Sequence, residues 1–385
     1  MLRIQKLLLA GFLFLIPLHA FAQHLDAYLE EDLKIGQSES GPQEYFLSLP
    51  TQVCVDKQGN IYVADYYLSK IRVFDSTGTY MTSIGRKGKG PGEMMAVTSM
   101  CIDHHNNLVV TDQFTLRITR FINNGKYVKT YPFPVKGYYQ PWIILPAKGA
   151  FLLYYSPPTK SISEIEDSPV LHFWDESFKK VIASIARKSS IWNINDPFLR
   201  IQAGGPFSAF IDVDTIRNRI ALVPHYYDGV IHLFENRYEK WIHKELQGLK
   251  PRFRPFVLLN RKDYKNRSEW PKPWQVISFM NSSFITHGNN ISIGIAFLDD
   301  GSLVHFTSLK DTKKGYILGV ELFDPKGRFI GYGRLKNFLP LPPDKAVALR
   351  LAAKDGQDRL YFVDLRDMDI PVIRRMKLHF SVKNR

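Results

Sequence analysis

Short β-branched apolar runs alternate with tight polar turns along this chain, and between residues 49 and 133 they do so twice in the same order. Asp56-Lys-Gln-Gly-Asn-Ile-Tyr-Val-Ala-Asp65 is answered by Asp103-His-His-Asn-Asn-Leu-Val-Val-Thr-Asp112. Asp56 and Asp103, Asp65 and Asp112, Phe74 and Phe121, and Gly78 and Gly125 are each 47 residues apart. A fixed period of this length marks a stacked array such as a solenoid or propeller. Ile61–Ala64 and Leu108–Thr111 are apolar and bounded by turn residues, which predicts short buried strands. Gly and Asn before them accept the positive φ of a tight hairpin. Lys70–Asp75, a turn at Ser76–Gly78 and Tyr80–Ile84 predict two more strands. Four antiparallel strands per period describe a propeller blade.

Weaker copies follow. Ala147–Tyr155 with Pro169–Trp174 predicts a third blade, and Arg217–Val223 with Gly229–Glu235 a fourth. Asp299–Phe306 with Gly319–Gly327 predicts a fifth. Asp355–Asp364 with Val372–Phe380 supplies only three strands of a sixth. Near the start, Leu33-Lys-Ile-Gly36 followed by Gly41-Pro-Gln-Glu44 repeats the pattern Ser83-Ile-Gly85 followed by Gly90-Pro-Gly-Glu93. It predicts a lone fourth strand, which would complete the last blade and close the ring without a free edge. The expected architecture is all-β, a six-bladed propeller with blades near 49–85, 97–133, 141–186, 207–247, 291–331 and 346–380, closed by 33–36.

These residues carry a resemblance. Asp-x-x-Gly-Asn-Ile-Tyr-Val-x-Asp followed by Ile-Arg-Val-Phe-Asp-x-x-Gly is similar to an NHL repeat. The linker Ile84-Gly-x-x-Gly-x-Gly-Pro-Gly-Glu93 resembles that of exported bacterial six-bladed β-propeller proteins. The resemblance covers residues 33–133 and implies the fold. It implies no single activity, since propellers of this type include binding modules, lyases and lactonases.

Met1 to Ala22 has a basic start, an apolar run Leu7–Leu18 and Ala20-Phe-Ala22, the pattern of a signal peptide cleaved before Gln23. The run is short for a membrane span. Loss of Arg3 and Lys6 lowers the net charge from +14 to +12. The mature chain is expected in the periplasm or secreted, as a basic monomer without a stable membrane span. Cys54 and Cys101 occupy equivalent first-strand positions. Export permits a disulfide, but neighbouring first strands stand too far apart, so two buried thiols are expected.

Candidate chemistry gathers on one face of the ring, where the strand 2–3 loops and the links between blades lie. The ends of the second strands place Asp65, Asp112, Tyr155, His225, Thr307 and Asp364 there, with Tyr66, Tyr67, Phe114, Tyr226 and Tyr227 beside them. Asp65, Asp112, His225 and Asp364 could hold Ca or Zn for a lyase or lactonase. Equally, Asp at a strand end accepts hydrogen bonds from loop amides. The pair His104-His105 falls in a strand 1–2 turn on the opposite face and reads as solvated. His232 and His305 fall within strands. There is no His-Glu-x-x-His pattern and no cluster of metal-spaced Cys, so no cofactor is required. Gly85–Gly92 lacks the Lys-Ser/Thr and helix of a phosphate loop.

Lys250 to Trp274 is the most unusual segment. Eight Lys/Arg stand against Asp263 and Glu269, a local charge of +6. Phe253, Phe256, Tyr264, Trp270 and Trp274 are interleaved with them. As a link insertion it should overhang the aromatic rim, with Arg252, Arg254, Arg261, Trp270 and Trp274 as its binding residues. Arginine beside aromatic rings suits acidic or stacking partners, so an acidic glycan or an envelope protein is expected. Nucleic acid is not, because export removes the chain from it. Trp142, Trp192 and Arg200 stand in other long links.

Overall fold

The computed structural model describes residues 23–123, 125–133, 142–155, 168–196, 199, 203, 208–269, 274–279, 282–311, 315–336 and 348–382. The leader 1–22 and Arg200 lie outside them. Blade one comprises Pro50–Val55, Ile61–Asp65, Lys70–Phe74 and Tyr80–Ile84, and blade two Val97–Ile102, Leu108–Asp112, Arg117–Phe121 and Tyr127–Pro132. Blades three and four, starting at Ile143–Ala147 and Ala209–Asp214, repeat the four-stranded antiparallel order. The protein is thus the all-β propeller of four-stranded blades that the 47-residue period predicts.

Turn chemistry explains why the repeat keeps Asp. Asp56 Oδ1 accepts from the amides of Gln58 (2.9 Å) and Asn60 (2.8 Å). Asp103 Oδ1 does the same for His105 (3.0 Å) and Asn107 (2.8 Å). The turn needs one left-handed residue, supplied by Gly59 at φ 85° and Asn106 at φ 63°. The strands that follow are buried over their full length and pack between blades. Tyr62 and Ile71 of blade one, for example, share a cluster with Met100 and Leu108 of blade two. Cys54 joins that cluster and Cys101 the one between blades two and three, both as free buried thiols. Burial pushes both thiols well above their usual range.

Closure goes further than the 33–36 stretch predicts. The N-terminal strand runs from Gln23 to Ile35 and pairs antiparallel with Val372–Val382, completing the sixth blade. Its first residues also pair in parallel with the outer strand of blade five, Gln23 with Gly331 and His24 with Tyr332. One strand therefore joins two blades into a single eight-stranded sheet. The short estimate has a simple cause, since Asp26, Glu30, Glu31 and Asp32 mask the alternation of buried Leu25, Ala27 and Leu29.

The predicted insertion also exceeds its bounds. Phe256–Asn260, Trp274–Phe279 and Ser282–Gly288 form a separate three-stranded sheet, ordered with the last strand at its centre. Among the described residues no helix is long and apolar enough to cross a membrane.

Two buried imidazoles and a half-buried one couple the fold to pH. Burial lowers His172 to about 4, and burial with the neighbouring His243 lowers His232 to about 3. His225 is held at about 4 by burial and the charge of Arg350. An unfolded imidazole titrates near 6.5, so below that pH the unfolded chain binds more protons than the folded one. The stability these residues contribute is complete above about 6.5 and is lost as pH falls toward 4. Melting temperature is expected to decline over that window, and the double variant H172Q/H232Q should flatten the decline.

Candidate functional site

The first strands of all six blades enclose a channel of about 640 Å³. Its wall is mostly apolar, with Val53, Val97, Ile143, Ile211, Ile295 and Leu351 contributed by successive blades. Polar and aromatic groups concentrate where the first strands begin. There Tyr66, Gln113, Trp142, Phe210, Thr51 and Arg350 line the cavity. Arg350 belongs to the strand Leu349–Lys354, and its Nη2 donates to the carbonyl of Thr51 across the junction of blades six and one. Burial lowers its guanidinium to about 10, so it remains a cation at neutral pH.

His225 stands just behind this wall. It is half-buried, and its Nδ1 is enclosed with no hydrogen-bond partner among the described residues. Thr51 Oγ1 is likewise enclosed and unsatisfied there. Rings connect this point to the insertion. Phe210 lies 6.2 Å from His225, His225 5.1 Å from Tyr226, and Tyr226 5.1 Å from Phe256. The loop before Phe256 is clamped to the same rim by blade five. Asn289 N donates to Pro255 O (2.7 Å), Asn289 Nδ2 to Arg254 O (3.0 Å) and Asn290 Nδ2 to Phe253 O (2.6 Å). Arg252, Arg254 and Arg261 are exposed on this basic segment. Trp270 lies outside the described residues, as does the Trp274 side chain.

The four residues expected to hold a metal are not assembled into a site. Asp65 is fully buried and accepts from the amides of Ser48 (2.7 Å), Leu49 (3.3 Å) and Leu68 (3.2 Å). Asp112 holds Met95 N (2.6 Å), Ala96 N (3.3 Å), Phe114 N (3.0 Å) and Thr115 N (3.1 Å). Asp364 is bound by Arg366 Nη2 and Arg374 Nε, each at 2.6 Å. Burial alone would raise its pKa, but those two arginines outweigh burial and lower it. The carboxylates serve the turns, and His225 forms no three-ligand cluster with them.

The aromatic cup is also divided. Tyr66 lines the channel, while Tyr67 and Phe114 are exposed away from it. Tyr226 is packed between His225 and Phe256, and Tyr227 is fully buried. Tyr227 donates its hydroxyl to Glu321 Oε2 (2.7 Å), which also meets His305 Nδ1 at 2.6 Å. His305 Nε2 lies 2.9 Å from Ser292 Oγ, a Ser-His-Glu order known from hydrolytic sites. Here all three are fully buried and Ser292 donates to Pro224 O (2.9 Å), so the row ties blade four to blade five. Glu321 Oε1 also accepts from Leu249 N, anchoring the root of the insertion.

Sequence reasoning missed Arg350, which sits in a degenerate repeat with no motif around it. The signal present was a lone Arg at an inward-facing first-strand position.

Fold and channel together define a six-bladed β-propeller with a ligand-sized central cavity. Residues 42–190 match the model of the DUF5128 family, described as a 6-bladed beta-propeller. No curated protein matches the chain in sequence. Among solved structures, a DUF4221 family member from Bacteroides vulgatus is similar, with 12% identity, 92% of this chain and 99% of that one covered, and a TM-score of 0.55. A Bacteroides fragilis protein inferred to be exported has 12% identity, covers 92% and 96%, and has a TM-score of 0.51. Both similarities are of fold alone.

Proposed function

We propose that this chain is an exported binding propeller whose channel mouth, with the adjoining basic insertion, takes an acidic glycan. The carrying observation is Arg350, a guanidinium on the wall of a mostly apolar cavity that Trp142, Tyr66 and Gln113 also line. A cavity of 640 Å³ falls within the usual range of small-ligand sites. The fork of an arginine suits a sugar carboxylate, and flat rings suit the faces of a pyranose. Arg252 and Arg254 then extend the same charge preference along a longer polymer. This reading needs none of the turn aspartates, whereas a lyase built on their cation would have to break the turns.

Calorimetric titration of the mature protein with uronate oligosaccharides tests it, beside neutral oligosaccharides of equal length. Binding of the acidic series is expected to weaken with salt. R350Q should weaken it at least tenfold, and R252E/R254E should weaken longer oligomers more than short ones. R328E, on the opposite face, should change nothing. Absence of binding to any acidic glycan, or binding indifferent to R350Q, overturns the proposal. Binding that survives only for an envelope protein and needs Arg252 and Arg254 would assign the rim to a protein partner instead.

A further inference from the structure

The face opposite the channel mouth brings together three ligand-bearing side chains from two blades. His104 and His105 occupy the strand 1–2 turn of blade two, and Glu176 the strand 3–4 turn of blade three. His104 Nε2 lies 3.0 Å from Glu176 Oε1, and His105 Nε2 3.6 Å from Glu176 Oε2. Among the described residues this is the one place where three His, Cys, Asp or Glu ligand atoms lie within 4.8 Å of one another. Adjacent residues in a turn ordinarily send their side chains apart. Here the two imidazole rings stand 3.9 Å from centre to centre and face one carboxylate.

The turn itself does not demand these histidines. Its geometry rests on Asp103, Asn106 and Asn107, and the matching positions in blade one are Lys57 and Gln58. Neighbours on both sides hold the arrangement in place. Lys57 Nζ donates to His104 O (2.9 Å), Lys57 N to Asn106 Oδ1 (3.1 Å), and Asn106 Nδ2 to Gln58 Oε1 (2.8 Å). From the other side Arg120 donates to Glu176 O (3.1 Å) while its Nε sits 3.5 Å from Asp103 Oδ2. Two rigid turns are therefore fixed at a set separation, the condition for a preorganised site.

We propose that His104, His105 and Glu176 form a site for a divalent transition metal of the zinc class, clipping blade two to blade three. Two imidazoles and one carboxylate match zinc, whereas calcium and magnesium prefer oxygen ligands. Ligands about 2.0–2.1 Å from a tetrahedral zinc stand roughly 3.3 Å apart, near the two separations the structure holds. His104 and His105 are 45% and 60% exposed, so water or an outside group can fill the fourth position. This site is independent of the glycan reading and lies on the other face.

The test is zinc competition between the untagged mature protein and a chromogenic chelator, with calcium and magnesium as comparison ions. One zinc per chain is expected, with no binding of the other two at the same concentration. H104A, H105A and E176Q should each weaken zinc at least tenfold, and H379A, at another exposed His–Glu pair, should leave it unchanged. Zinc should also raise the melting temperature of the parent protein and not that of H104A/H105A. Zinc affinity indifferent to all three substitutions, or no zinc bound at micromolar concentration, overturns the proposal.

Discussion

A chain beginning at residue 36 is expected to lose its cooperative unfolding transition and to enter aggregates, although it keeps every blade but the closing strand. Residues 23–35 bury Leu25, Ala27, Leu29 and Ile35 to 2% exposure or less. Full burial of three such large aliphatic side chains contributes about 5–9 kcal/mol, comparable with the whole stability of an ordinary domain, about 5–15 kcal/mol. Loss of the strand also frees one edge of Val372–Val382 from Ile373 to Val382 and removes the parallel pairing to blade five. A long unpaired edge is a template for intermolecular pairing. The comparison is between chains starting at 23 and at 36, by size-exclusion chromatography and thermal unfolding. A synthetic 23–35 peptide added during refolding should restore part of the transition. A truncated chain that melts within two or three degrees of the parent would show that closure contributes little.

The period and turn chemistry of blades one and two were legible because every repeated residue there has a local cause. Asp56 and Asp103 hold turns, Gly59 and Asn106 supply the left-handed angle, and the runs after them pack between blades. Local causes can be read from a local pattern. The closing strand was legible only in part, because its charged positions hide the alternation that burial imposes. The site was less legible still, since its parts meet only through closure of the ring. Arg350 reaches Thr51 across 299 residues, and Tyr227 reaches Glu321 across 94. Tyr226 and Tyr227 read alike in sequence, yet a buried glutamate on the next blade takes one of them out of the rim altogether. Glu176 likewise carries no signal of its own until the fold sets it against His104 and His105.

Asp65 decides between a turn anchor and a metal ligand, and D65A is expected to be strongly destabilised whether or not metal is present. Its carboxylate satisfies three backbone amides and lies 3.5 Å from Arg72 Nη1. Arg72 is only 4% exposed, and its remaining described partner is the carbonyl of Gln43 at 3.1 Å. Removing the carboxylate leaves a buried guanidinium uncompensated, which costs about 3–5 kcal/mol. The stranded amides of Ser48 and Leu49 add to the loss, since a buried donor without a partner is costly. The expected outcome is a fall of several degrees or more in melting temperature, the same in chelator as in added calcium or zinc. D65N should fall in between, because its amide keeps the shape and one acceptor oxygen. Replacing both partners, D65A with R72M, should recover part of the loss, because the uncompensated charge goes with the second substitution. A D65A protein that melts like its parent in chelator, and differs from it only when metal is supplied, would return this residue to the metal reading.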